Sequence, residues 1–227
     1  MPMNAIDIVR NNRPVFSAFG AQYVVSEGSP LLMDHFDGST IDTSYRWDTA
    51  VTAGGGTVTQ SAGSLTLATS TTVSAAAAIS SKLKFTPVGA SVVTYGTTIR
   101  FEAGQANGSL LPNAHRFWGK GTPNASFTAA TPLADAIGFE VDYLLGRVQA
   151  VVYNANTRVF AQDITQYFLD ALPHNIFFVE RGDLIFFYVD SQARPVAMSY
   201  GFVPSTTILP MRMHMINHTT GPASAPT

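Results

Sequence analysis

Cysteine is absent, which excludes disulfide staples and thiolate metal sites. A domain of this size can fold without disulfides, so that absence does not fix the compartment. Charge is also scarce: 12% of the 227 residues are charged against 46% apolar. Ser, Thr, Asn, Gln and Gly must therefore cover much of the surface, and part of it is expected to be buried against a partner. The net charge is -2 and Lys and Arg nowhere cluster, so nothing attracts nucleic acid. No apolar run approaches the roughly 18 residues of a membrane span, so no membrane insertion is expected. Asp7, Arg10, Asn11, Asn12 and Arg13 interrupt the stretch where an export signal would be apolar. The chain is expected to be made in the cytoplasm without a signal peptide. No fixed-period repeat is present, which argues against solenoids and propellers.

What is present is β-structure, organised around Ile176–Tyr200. Ile176–Arg181 and Leu184–Val189 are rich in β-branched and aromatic residues and flank Gly182-Asp183, a compact turn signal. Asp190-Ser191-Gln192 turns the chain again into Pro195–Tyr200, which predicts a meander. Leu184–Val189 is apolar at nearly every position, so both of its faces are expected to be covered. Thr57–Gln60 and Ser64–Thr69 alternate about Ser61-Ala62-Gly63, the pattern of a half-exposed hairpin. Ala-rich Val73–Ile79 reads as strand or loop, Lys82–Phe85 as an edge strand and Val92–Ala103 as a strand. Gly104–Asp135 reads as one long irregular segment, and such loops are usually functional or mobile. A hairpin is predicted over Ile137–Tyr143 and Arg147–Tyr153, then a turn into Arg158–Ala161. Ile164–Ala171 is the one candidate helix, and Met211–Asn217 alternates as a closing strand.

Domain limits follow: an N-terminal arm over 1–32, a β-sandwich over 33–218 and a small polar tail over 219–227. The arm cannot bury a core alone. It either adds an edge strand to the sandwich or docks on another subunit, with Ile6, Ile8, Val9, Val15, Phe16 and Phe19 as the docking side chains.

About twelve short strands with regular turn signals predict an all-β, two-sheet antiparallel sandwich. Phe36-Asp37-Gly38 followed by Trp47, the Gly138–Asp142 strand, the Phe178–Asp190 hairpin and Leu209–Arg212 resemble the concanavalin A-like jelly roll of laminin-G, legume-lectin and glucanase domains. In retaining glucanases of that fold, a nucleophile and its helper carboxylate share one strand face, followed by an acid/base Glu. Alternation places Glu140 and Asp142 on one face, but the following positions are Leu144 and Leu145, so the general acid is missing. The resemblance thus implies no catalytic residues, and the pair is expected to be solvated on an open sheet face. Asp34, Asp37, Asp42 and Asp48 lack a tight oxygen-ligand loop. His35, His214 and His218 would meet only if the first and last strands pair. No metal or cofactor is expected. Glycan binding would use Phe117, Trp118, Tyr143 and Tyr153 with Glu140 and Asp142 and with Asn107, Asn113 and Asn124. A core aromatic pair explains Phe117-Trp118 equally well.

Low charge, the lack of cysteine and export signal, the Ser/Thr/Ala/Gly-rich surface and the arm together resemble tailed-bacteriophage virion proteins. That resemblance implies a non-enzymatic structural protein located in the virion, as a capsid decoration, head fibre, or tail or baseplate part. Its expected partners are other virion proteins, a homo-oligomer such as a trimer, and a host surface glycan. The alternatives are a lectin-like carbohydrate-binding module or a β-glucan hydrolase.

Overall fold

The computed structural model describes residues 22–26, 29–85, 92–100, 113–170, 172–201 and 208–222. The first strands are β1 (Gln22–Ser26), β2 (Ser29–Asp34), β3 (Val51–Ala53), β4 (Thr57–Ser61) and β5 (Ser64–Ala68). β6 (Ala76–Phe85), β7 (Val92–Ile99), β8 (Ala114–Pro123), β9 (Leu133–Val141) and β10 (Val148–Asn154) follow. The last are β11 (Thr157–Asp163), β12 (His174–Arg181), β13 (Leu184–Val189), β14 (Ala197–Tyr200) and β15 (Leu209–Asn217). Six strands form one sheet in the order β14-β13-β12-β7-β1-β2, and seven form the other in the order β11-β10-β9-β8-β15-β6-β3. β4 and β5 pair as a separate hairpin, and neighbouring strands run antiparallel throughout. The fold is the predicted two-sheet antiparallel jelly roll.

Alternation builds the core. Trp118, Ile137, Phe139, Val141, Val148, Val152 and Met211 face inward from the seven-stranded sheet. They meet Tyr95, Ile176, Phe178, Ile185 and Phe187 of the other sheet. Aromatic contacts stitch the layers: Trp118 lies 5.8 Å from Phe178 and Phe139 lies 5.5 Å from Phe187, both edge-on. Burying each such ring contributes about 1.5–3 kcal/mol. One ion pair crosses this interior, with Lys120 Nζ 2.6 Å from Glu180 Oε2 and 5.3 Å from the Tyr95 ring centroid. At one end Phe36 stacks on fully buried Trp47, whose Nε1 donates to Asp34 Oδ2 at 2.6 Å.

Several expectations need correcting. β13 alternates: Ile185, Phe187 and Val189 are buried while Leu184, Phe186 and Tyr188 are half-buried. Its second face is only partly covered, and there Tyr188 stacks on Phe177 at 4.5 Å. Of the candidate helix Ile164–Ala171, the described residues form only the 3-10 turn Thr165–Tyr167. Asp163 Oδ1 accepts from the Thr165 amide and hydroxyl, and Ile164 and Phe168 both turn into the core. Lys82–Phe85 is not a separate edge strand but the end of β6, paired with β15 through Lys84 and Phe85. The segment expected to be irregular over 104–135 contains β8, a central strand of its sheet. β1 pairs with β2 and β7 at the edge of the six-stranded sheet, so this end of the arm follows the first of its two alternatives and adds edge strands to the sandwich, and a boundary at 32/33 would cut β2. Ile6, Ile8, Val9, Val15, Phe16 and Phe19 lie outside the described residues.

Candidate functional site on the outer sheet face

On the side of the seven-stranded sheet away from the core, β8 presents His115, Phe117 and Gly119, and β9 presents Ala136, Gly138 and Glu140. β15 presents Arg212 and His214, and β10 presents Gln149, Val151 and Tyr153. Register brings them together: Phe117 lies opposite both Glu140 and His214, and Glu140 lies opposite Gln149. Glycine makes room for the Phe117 ring. A Cβ at Gly119 would lie 2.8 Å from that ring and 2.2 Å from Ile137 O, and one at Gly138 would lie 2.3 Å from Trp118 O. Phe117 packs with Leu133, Ala136, Val151 and Tyr153 into a small second core.

The loop after β8 folds over this face. Asn124 Oδ1 accepts from the Ser126 amide, and the Asn124 backbone N–H donates to Pro132 O. Phe127, held at φ 36°, then meets His214 edge-on at 5.2 Å and lies 4.8 Å from the Arg212 guanidinium.

Beneath that cover runs a chain of hydrogen bonds whose direction is set by chemistry. Arg212 Nε can only donate, and it reaches His214 Nδ1 at 3.2 Å. His214 must then carry its proton on Nε2, which lies 3.0 Å from His115 Nδ1. That nitrogen therefore accepts, and His115 donates from Nε2 to Glu140 Oε2 at 3.0 Å. Both imidazoles are neutral in this arrangement. Burial, helped by the Arg212 charge, holds the His214 pKa well below its ordinary value, in agreement. Glu140 Oε2 also accepts from the Tyr153 hydroxyl at 2.7 Å, and Oε1 accepts from Arg158 at 2.6 Å. Burial alone would raise the Glu140 pKa, but the hydrogen bonds from His115 and Tyr153 and the Arg158 charge outweigh it and hold the carboxyl below its usual range.

Of the six candidate glycan-binding residues, Glu140, Phe117 and Tyr153 meet on this face, and all three are buried. Glu140 is 2% exposed, so the expectation of a solvated carboxylate fails: its neighbours replace water. Trp118 points the other way, into the inter-sheet core. Asp142 does share the Glu140 side, as alternation predicted, with Arg158 Nη1 3.5 Å from its Oδ2. Its Oδ1 accepts from the Leu144 and Leu145 amides and fixes the turn. Tyr143 stacks on His218 at 4.7 Å. Asn113 and Asn124 serve the local backbone and loop, and Asn107 lies outside the described residues. His214 meets His115 rather than His35 or His218, because β15 pairs with β6 and β8. Sequence reasoning missed His115, Arg158 and Arg212. Among the described residues no group of three or more His, Asp or Glu side chains is arranged to hold a metal ion.

No protein-family model matches the sequence, and no curated protein does. Solved structures do. A glycosyl hydrolase family protein from Mycobacterium fortuitum aligns with a TM-score of 0.59 at 14% identity, over 86% of this chain and 93% of that one. The Bacillus licheniformis β-glucanase aligns at 0.55 and 14% identity, over 88% of this chain and 86% of that one. A mutant form of the Emp46p carbohydrate recognition domain aligns at 0.55 and 13% identity, over 85% of this chain and 91% of that one. At these identities the likeness is one of architecture: the chain has the concanavalin A-like jelly roll shared by lectin and glycoside hydrolase domains.

Proposed function

We propose that the chain is a non-catalytic, lectin-like carbohydrate-binding module. The observation that carries this reading is the saturation of Glu140. A retaining glycosidase needs one carboxylate within reach of the sugar and a second, proton-bearing carboxyl about 5 Å away, and Glu140 is buried. Both oxygens of Glu140 are occupied by His115, Tyr153 and Arg158, and both oxygens of Asp142 also face donors. Beyond Asp142 the chain continues with exposed Leu144 and Leu145. Carbohydrate binding is supported by the architecture shared with carbohydrate-recognition and glucanase domains. It is also supported by a polar ledge at the rim of the network, where half-exposed Arg158 lies beside Gln149 and Asp142. A glycan array followed by calorimetry is expected to return a ligand whose binding Gln149→Ala weakens several-fold. Incubation with β-glucans is expected to release no reducing sugar. Turnover that Glu140→Gln abolishes would replace this reading with a hydrolase.

A second reading concerns where the module works. Leu144, Leu145, Leu169, Leu172, Met198 and Tyr200 are large, apolar and exposed on a surface poor in charge. They suit a subunit of a larger particle, and a tailed-phage virion is the setting we propose, as a capsid decoration, head fibre or tail part. Light scattering should then give a mass above the 24.3 kDa monomer, and a trimer is the expected form. A strictly monomeric full chain at high concentration would count against it. A truncation that tests the arm should stop at residue 21, because β1 is part of the sandwich.

A further inference from the structure

The opposite side of β8 carries a charge that nothing in the described residues answers. Alternation puts Arg116 on the same side as Trp118 and Lys120, facing the other sheet. It is 6% exposed, and its register neighbours are the apolar Val141 and Met215. Its Nε, Nη1 and Nη2 are shielded from solvent, and none has a hydrogen-bond partner among the described residues. Lys120, four residues along the same strand face, shows the usual remedy, with Glu180 at 2.6 Å. A buried, unpaired guanidinium is unfavourable unless an anion meets it. Burial lowers its pKa only to about 10, so at neutral pH it keeps its charge.

Arg116 lines the wall of a cavity of about 1180 Å³. That volume is ample for a small molecule, whose pockets run roughly 300–1,000 Å³. Trp118, Phe139 and Met213 supply apolar wall, while Asp37, Thr98 and Arg100 are among the polar members of the lining. Such a chamber suits a ligand with one negative group and an apolar body. A planar guanidinium matches a carboxylate through paired N–H bonds. Asp37 and the apolar walls disfavour a dianion such as phosphate.

We propose that this cavity binds an organic monocarboxylate with an apolar body, its carboxylate held by Arg116. Arg116 lies on the side of β8 opposite the Glu140 network, and the proposal does not rest on the glycan reading. The same chemistry could come from a free fatty acid or from the C-terminal carboxylate of an apolar peptide.

The test uses the full chain and calorimetry. Decanoate is expected to bind about tenfold or more tighter than decanol, the ratio a charge-assisted contact gives. Inorganic phosphate is expected not to compete. Arg116→Met should erase the difference between decanoate and decanol while leaving the far-ultraviolet circular dichroism unchanged. An apolar hexapeptide with a free or an amidated C-terminus distinguishes the second source: discrimination for the free form without decanoate binding assigns the site to a peptide end. Equal binding of decanoate and decanol to the wild type overturns the proposal, and so does decanoate binding that Arg116→Met leaves intact. Absence of binding by decanoate and by the free-ended peptide at millimolar concentration also overturns it. Should Arg116→Met fail to fold, the decanoate-to-decanol ratio in the wild type decides alone.

Discussion

The two faces of β8 treat buried charge in opposite ways. Outward, Glu140, His115, His214, Tyr153 and Arg158 form a chain in which each group has a partner of the right kind at 2.6–3.0 Å. Inward, Lys120 has one partner, Glu180, and Arg116 has none among the described residues. The same strand therefore sets a satisfied network against an under-satisfied one. Both faces are desolvated, so the number of partners decides which side favours the fold. The pKa directions agree. Glu140 is held below its ordinary value despite its burial, whereas burial raises the Glu180 pKa and lowers the Lys120 pKa against their mutual attraction. The inner pair is thus a net cost relative to apolar packing, and the outer network is a net support.

The strongest way to break this contrast is Glu140→Ala. It opens a cavity and leaves the buried His115 Nε2–H and Tyr153 hydroxyl without an acceptor, while half-exposed Arg158 keeps water, Gln149 and Asp142. A loss of about 3–5 kcal/mol is expected in urea denaturation. A change below about 1 kcal/mol would mean that the network carries no stability.

Next comes the inner pair. Lys120→Met alone leaves Glu180 buried and unpaired, and should cost about 3–5 kcal/mol. Lys120→Met with Glu180→Leu should recover that loss and bring stability to the wild-type level or about 1–4 kcal/mol above it. Arg116→Met, with no partner to strand among the described residues, should be neutral or stabilising without any second substitution. A destabilised Arg116→Met would show that the guanidinium has a partner in solution.

Acid sharpens the comparison. The His214 pKa is depressed, so the unfolded chain takes up a proton as pH falls through the ordinary value of 6.5 and the fold does not. Glu140 is depressed too, so its contribution, present above the ordinary 4.5, is lost as pH falls through the lower folded value. Glu180 runs the other way: its folded pKa is raised, so protonation there relieves the fold. Stability should decline from pH 7 to pH 5 and again in stronger acid. The decline should be steeper in the variant lacking Lys120 and Glu180. A flat profile between pH 7 and pH 5 in the variant lacking Lys120 and Glu180, where the opposing Glu180 titration is gone, would contradict the neutral-histidine chain.

Much of this was legible in the chain and some was not, for reasons that particular residues show. The β4-β5 hairpin could be read because alternation and turn residues agree, and the β9-β10 and β12-β13 hairpins because strand-forming runs flank a glycine turn. Gly63 and Gly182 occupy positive φ at two of these turns and Gly146 does so at the third. β8 was obscured because Gly119 and Gly121 resemble loop residues. At Gly119 the glycine permits the close approach of β9 and the Phe117 ring, so the signal for a loop was a signal for packing. The Glu140–Asp142 alternation was visible, but the partners of Glu140 were not. His115 and His214 are 99 residues apart and meet only through the β8-β15 register. Arg158 reaches Glu140 across β10, past a register shift between Val152 and Tyr153 that no local pattern announces.

The smallest effect belongs to a charge pair on neither face. Arg147 Nη1 lies 3.3 Å from Asp163 Oδ2, with side chains 53% and 43% exposed. Water solvates both charges whether or not they pair, so removing one strands nothing. Asp163 Oδ1 also keeps its bonds from Thr165. Arg147→Ala should therefore change stability by no more than about 0–1 kcal/mol, and added salt should shrink even that. Set beside Glu140→Ala, it separates two explanations of the outer network. A loss as large as that of Glu140→Ala would mean that charge pairing itself supports this sandwich. A small loss would assign the support to burial with every donor and acceptor matched, the condition that Arg116 does not meet among the described residues.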